Sequence, residues 1–190
     1  MVQIVRLAHS QLIASLCHGG YTSNQGINLA MISYSNEYEE FLFNRIDDSD
    51  LLTGFVIGHL VIEHLLEEIV LSYDSKLKEH FLSLTHSRKI TLIHSLGLVP
   101  DDVASCLQGI NKIRNNFAHK LGYEPNKGEL LNLISKCKAS FNDMTDGLEQ
   151  LHGALTDSDN LREAQEKFGV GLADLFIQVV YDLEAYANIN

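Results

Sequence analysis

Apolar positions in this chain recur mostly every three to four residues, the spacing of one face of an α-helix. From Leu51 to Tyr73 they go further and cover nearly every direction around the helix, the pattern of an element buried on several sides. Helices are also predicted over Met1 to His18 and about Ile27 to Arg45, with the turn-rich "GGYTSNQG" between them. The "DDSD" at 47–50 supplies N-cap candidates for the segment that begins at Leu51. "SRKITLIHSLGLV" reads as a short helix stopped by Gly97. A long helix is predicted from Pro100 to near Gly122, with two acids in its first turn, and further helices over Asn126 to Ser140 and Asp159 to Ala187. These elements predict an all-α fold in a single domain over residues 1–190. The motif-bearing core falls at about 47–140 and a C-terminal helix at about 158–188.

Two helices carry polar residues on apolar faces. On the predicted 100s helix, Val103, Leu107, Ile110, Phe117 and Leu121 form one stripe, and Arg114 falls in its middle. On the helix at 51–73, Leu52, Val56, Leu66 and Val70 align with His59 and Glu63. A buried guanidinium without a carboxylate is costly, so Arg114 is expected to pair with Glu63, or failing that Glu67, and so to fix the register of two packed helices. His59 and Glu63, four apart, have metal-ligand spacing, but no third ligand is evident and the HExxH order is absent, so they read as a core pair.

Composition narrows the options. With 190 residues, 45% hydrophobic side chains and two prolines, the chain has enough apolar surface for one sizeable core. The three cysteines, Cys17, Cys106 and Cys137, are scattered with no CxxC pair, so neither a disulfide framework nor a zinc knuckle is expected and a reducing cytoplasm fits. No glycine loop for nucleotides and no arranged base for a nucleophile is present, and no cofactor is expected. His59, Glu63, His64, Glu67 and Glu68 in the most apolar run exclude it as a membrane span. The net charge of −11 hides an asymmetry: residues 76–138 hold ten basic and five acidic residues, a formal +5, leaving −16 for the remainder. A basic middle in an acidic frame is either a local anion-binding face or a set of solvated helix faces.

The segment "INKIRNNFAHK" contains Arg114-Asn115-Asn116-Phe117-Ala118-His119. This resembles the R-x4-H signature of the HEPN superfamily. "FVIGHLVIEHLLEEIV", then "SRKITLIHSLGLVPDDVASCLQGINKIRNNFAHKL", is similar in order and wording to the branch that contains the mannitol operon repressor family, over roughly Leu51 to Tyr123. The resemblance implies an all-α up-and-down bundle of HEPN type with additional N- and C-terminal helices, usually dimeric, with the motifs of two protomers facing a shared cleft. It also implies a metal-independent endoribonuclease or RNA-binding effector of toxin or phage-defence type, with RNA and a protein antitoxin or regulatory partner as its ligands. Position 121 is leucine, where members paired with a nucleotidyltransferase antitoxin carry tyrosine. The alternative is a non-catalytic regulator resembling the mannitol repressor family and acting through protein contacts.

The residue chemistry is compatible with the first reading. Cleavage through the ribose 2′-OH needs a proton carrier, a role for His119, and a cation for the developing charge, a role for Arg114. Asn115 would hold the phosphate or orient His119, with Lys112 and Lys120 as flanking RNA contacts. A five-residue step turns the helix about 140°, so Arg114 and His119 of one straight helix cannot face one phosphate. A loosened helix end, a long reach by Arg114 or a site shared between two protomers would resolve this, and a homodimer is the simplest.

Overall fold

The computed structural model describes residues 40–47, 49–142 and 146–187, all within one compact unit spanning residues 35–190. The helix predicted for Met1 to His18, the break after it and most of the helix predicted for about Ile27 to Arg45 lie outside the described residues; residues 40–46 are helical. Every regular element among the described residues is a helix, so the chain is an all-α bundle. After residues 40–46 the elements are α1 (Leu51–Tyr73), a 3-10 turn (Ser75–Leu77), α2 (Lys78–Leu82), α3 (His86–Ser95), α4 (Asp101–His119), α5 (Lys127–Ser140), α6 (Gly147–Thr156), α7 (Leu161–Phe168) and α8 (Leu172–Ala187).

The bundle is organised around α1, as its all-round apolarity predicts. Asp50 caps its N-terminus, accepting from the Thr53 amide at 2.7 Å. Phe55, Ile62, Leu66 and Val70 are fully buried, and α1 packs against α8, α4, α3 and α2. The α1–α8 contact is close because α1 offers Gly58 to Phe176: a Cβ at position 58 would lie 2.3 Å from that ring. The absent side chain is what lets the two backbones approach.

The C-terminal region differs from expectation in two ways. Residues 159–187 are not one helix but α7 and α8, separated at Gly169, which adopts φ +73° and caps α7 by donating its amide to Gln165 O at 2.9 Å. The apolar spacing continues on both sides of that break, which is why it reads as one helix. Between α5 and α7 the structure also adds α6, a helix not predicted from the sequence, whose Leu148, Leu151 and Leu155 are buried. Lys127 anchors α5 to the end of α6, donating to Thr156 O at 2.8 Å and Ser158 O at 2.6 Å.

Cys106 of α4 and Cys137 of α5 are disulfide-bonded, with Cα atoms 5.6 Å apart and both residues fully buried. This corrects the expectation of unpaired cysteines. Their separation of 31 residues carries no pattern, because the pairing is made by two helices that face each other only in the fold. The argument for a reducing compartment loses that support.

Candidate functional site

The long helix α4 supplies the segment Arg114 to His119, and two different surfaces meet it. Its buried side, Val103, Leu107 and Ile110, packs into the core. The apolar stripe then rises to the surface: Phe117 is half-buried and Leu121 fully exposed. α4 remains α-helical through His119. The loosened end that would swing Arg114 and His119 together is therefore absent, and the two side chains leave the helix about 140° apart.

Arg114 is half-buried and donates from an Nη to Asn115 Oδ1 at 3.2 Å; the Asn115 amide in turn donates to Asn111 Oδ1 at 3.2 Å. Asn115 thus positions Arg114, and its hydrogen bonds lead away from His119. The expected ion pair of Arg114 is corrected by the geometry. Glu63 bonds the Lys89 ammonium of α3, and Glu67 pairs with Lys78 at 3.2 Å. Among the described residues no carboxylate pairs with Arg114. Lys89 outcompetes it because its side chain, 5% exposed, lies in the seam between α1 and α3 beside the Phe81 ring. Glu63 itself is 34% exposed, less buried than its helical phase suggests.

Next to Arg114 lie two imidazoles. His59 of α1 and His86 of α3 pack together with ring centroids 3.8 Å apart and planes tilted by 41°, their side chains 6% and 7% exposed. Burial lowers the pKa of His59, and the Arg114 charge adds to the effect. Burial drives His86 down to about 3, with His59 next and with Lys89 and Arg114 adding against the opposing pull of Glu63. For Glu63, burial pushes the carboxyl up, but the Lys89 hydrogen bond and charge, with His86 and His59, outweigh it and the net shift is downward. Both histidines are therefore neutral at pH 7.

The linkage has a definite sign. An imidazole of ordinary pKa in the unfolded chain protonates below about pH 6.5 while the folded ring resists, so the stability it contributes is present above that value and lost as pH falls toward 3. His86 alone predicts a loss of about 2 kcal/mol between pH 7 and pH 5, at about 1.4 kcal/mol per pH unit below 6.5. Urea melts at the two pH values in the presence of a chelator check this, and His86→Phe is expected to show a smaller drop than wild type.

On another side of α4 is an open groove of about 440 Å³ between α4 and α5. Lys112 and Asn116 line it from α4, Asn132 and Lys136 from α5, and Asn126 from the connecting turn. That turn is held firmly. Asn126 accepts from the Glu129 amide at 2.9 Å and Glu129 accepts from the Asn126 amide at 3.0 Å, a capping box. Tyr123 donates to Glu129 at 3.2 Å and packs edge-on against Phe117 at 5.2 Å. His119 is exposed, and at seven residues from Lys112 it continues the same face of α4. Lys120 is exposed beside the Tyr123 ring, 5.5 Å from its centroid.

Of the expected site residues, α4 places Lys112, Asn115 and His119 within about 60° of one another and Arg114 on another side, although the Asn115 side chain bonds back to Arg114. Lys136, Asn132 and Asn126 carry no sequence signal, because they join the site only when α5 folds back along α4. His86 and Lys89 are hidden in the sequence for the same reason. No helix among the described residues is long and apolar enough to cross a membrane. Comparison with known proteins finds no matching family model, no matching curated protein and no matching solved structure.

Proposed function

We propose that the chain is an RNA-binding effector of HEPN type, acting as a homodimer, in which His119 and Arg114 carry metal-independent cleavage of a phosphodiester. The observation that carries this reading is the groove between α4 and α5. Two lysines at its rim, Lys112 and Lys136, offer charge to phosphates, and Asn116, Asn126 and Asn132 offer amide donors and acceptors. Exposed His119 extends the same face and would move the 2′-OH proton. Arg114 faces elsewhere in its own chain, so in this reading it acts on RNA bound across a second protomer, with Asn115 holding its guanidinium. A protein antitoxin or regulatory partner belongs to the same reading.

A second reading, the non-catalytic regulator, is favoured by one specific feature. The helix stays α-helical through His119, and Leu121 stands fully exposed just beyond it, an arrangement suited to a protein contact.

Binding of a fluorescent single-stranded RNA separates the two. Lys112→Glu with Lys136→Glu is expected to weaken binding by about tenfold or more and to flatten the salt dependence by roughly 0.7 for each phosphate no longer neutralised. Both substitutions fall on exposed positions, so melting should be unchanged. Binding equal to wild type, with the same salt slope, would favour the regulator.

A further inference from the structure

We propose that His59, Glu63 and His86 form a binding site for a divalent transition-metal ion of borderline softness, of which Zn²⁺ is the type. It goes beyond the reading of the α4–α5 groove and uses none of the groove residues. Three observations converge. His59 Nε2 and His86 Nδ1 lie 3.7 and 3.9 Å from the same atom, Glu63 Oε2. One ligand atom from each of the three residues lies within 4.8 Å of the other two. Finally, His86 Nδ1 and Nε2 and His59 Nδ1 are buried without a hydrogen-bond partner. A buried polar atom left unsatisfied is costly, so two such rings packed together beside one carboxylate need a physical reason.

The donor set answers to the chemistry. Two imidazole nitrogens and one carboxylate oxygen suit Zn²⁺, Co²⁺, Ni²⁺ or Cu²⁺ far better than Ca²⁺ or Mg²⁺, which take oxygen ligands. With metal–ligand bonds of about 2.0–2.2 Å a tetrahedral site sets its donors roughly 3.3–3.6 Å apart, so each histidine needs to close on Glu63 by only a few tenths of an ångström. Lys89 bonds Glu63 Oε1, which leaves Oε2 turned toward the two histidines; it holds the carboxylate as an outer-shell partner holds a metal ligand. Glu63 is one-third exposed, which provides an entry path and leaves a fourth position for water. The positive charges of Lys89 and Arg114 oppose the ion, so the site is weaker than a four-ligand structural zinc site. Bound there, the ion would tie α1 to α3 beside Arg114.

The test uses the full-length, untagged chain, freed of metal with EDTA and then of the chelator. Titration with Co²⁺ is expected to give one equivalent of d–d absorption at four-coordinate intensity, displaced by Zn²⁺, and Zn²⁺ is expected to raise the melting temperature. His59→Phe and His86→Phe are each expected to weaken binding by tenfold or more, while His80→Ala, at an exposed position of α2, leaves it unchanged. Weak octahedral absorption in the wild type would overturn the proposal, as would binding that survives both phenylalanine variants. The wild-type spectrum decides the matter even if a variant fails to fold.

Discussion

Glu63→Ala is expected to destabilise the protein by about 3–5 kcal/mol, the cost of leaving a buried charge without its partner. At this chain length that is a fall of roughly 10 °C in melting temperature. The size of the effect comes from Lys89. Its side chain is 5% exposed with the ammonium over the Phe81 ring at 5.3 Å, and the other titratable groups facing Glu63, His59 and His86, are neutral. The reverse substitution is expected to be mild. Lys89→Met fills the same volume with an apolar chain and leaves behind a carboxylate that is already one-third exposed and can rehydrate. Denaturant melts of both variants check the asymmetry; equal losses would mean that Lys89 is not the buried partner.

Phe176→Ala is expected to cost about 3–5 kcal/mol through the cavity it opens at the centre of the α1–α8 contact. The ring is fully buried and meets Phe55 edge-on, centroids 5.7 Å apart. Gly58→Ala tests the same seam from the other side. Its methyl would fall 2.3 Å from the Phe176 ring, and overpacking of about 1–3 kcal/mol exceeds the helix propensity gained, up to about 1 kcal/mol. The double variant is expected to lose less than the sum, because the new methyl occupies part of the space the ring vacates. Strict additivity in urea melts would show that the two positions do not touch.

Helix content and most helix bounds were legible because they rest on local signals. Leu51–Tyr73 is the segment its apolar pattern marks, Asp50 caps it, and Asn126 opens α5 with a capping box. The break at Gly169 was hidden by apolar spacing that continues through it. The site was harder to read. Helical phase correctly separated Arg114 from His119 by about 140°, but it does not say which cation wins Glu63. Lys89 does, from 26 residues away, because α3 packs along α1. His86 becomes the companion of His59 by the same packing, which supplies the third donor that spacing within one helix cannot. The Cys106–Cys137 bond and the α4–α5 groove likewise arise where two helices meet, and no periodicity within either one encodes the meeting.

The central claim, that the R-x4-H segment serves RNA chemistry, is tested most directly by incubating wild type and His119→Ala with mixed structured RNAs in EDTA, with melting curves taken on the same samples. The account predicts cleavage by wild type, and its loss in a variant that melts as wild type does, since His119 is exposed. No cleavage by wild type, or equal cleavage by both proteins, would contradict it.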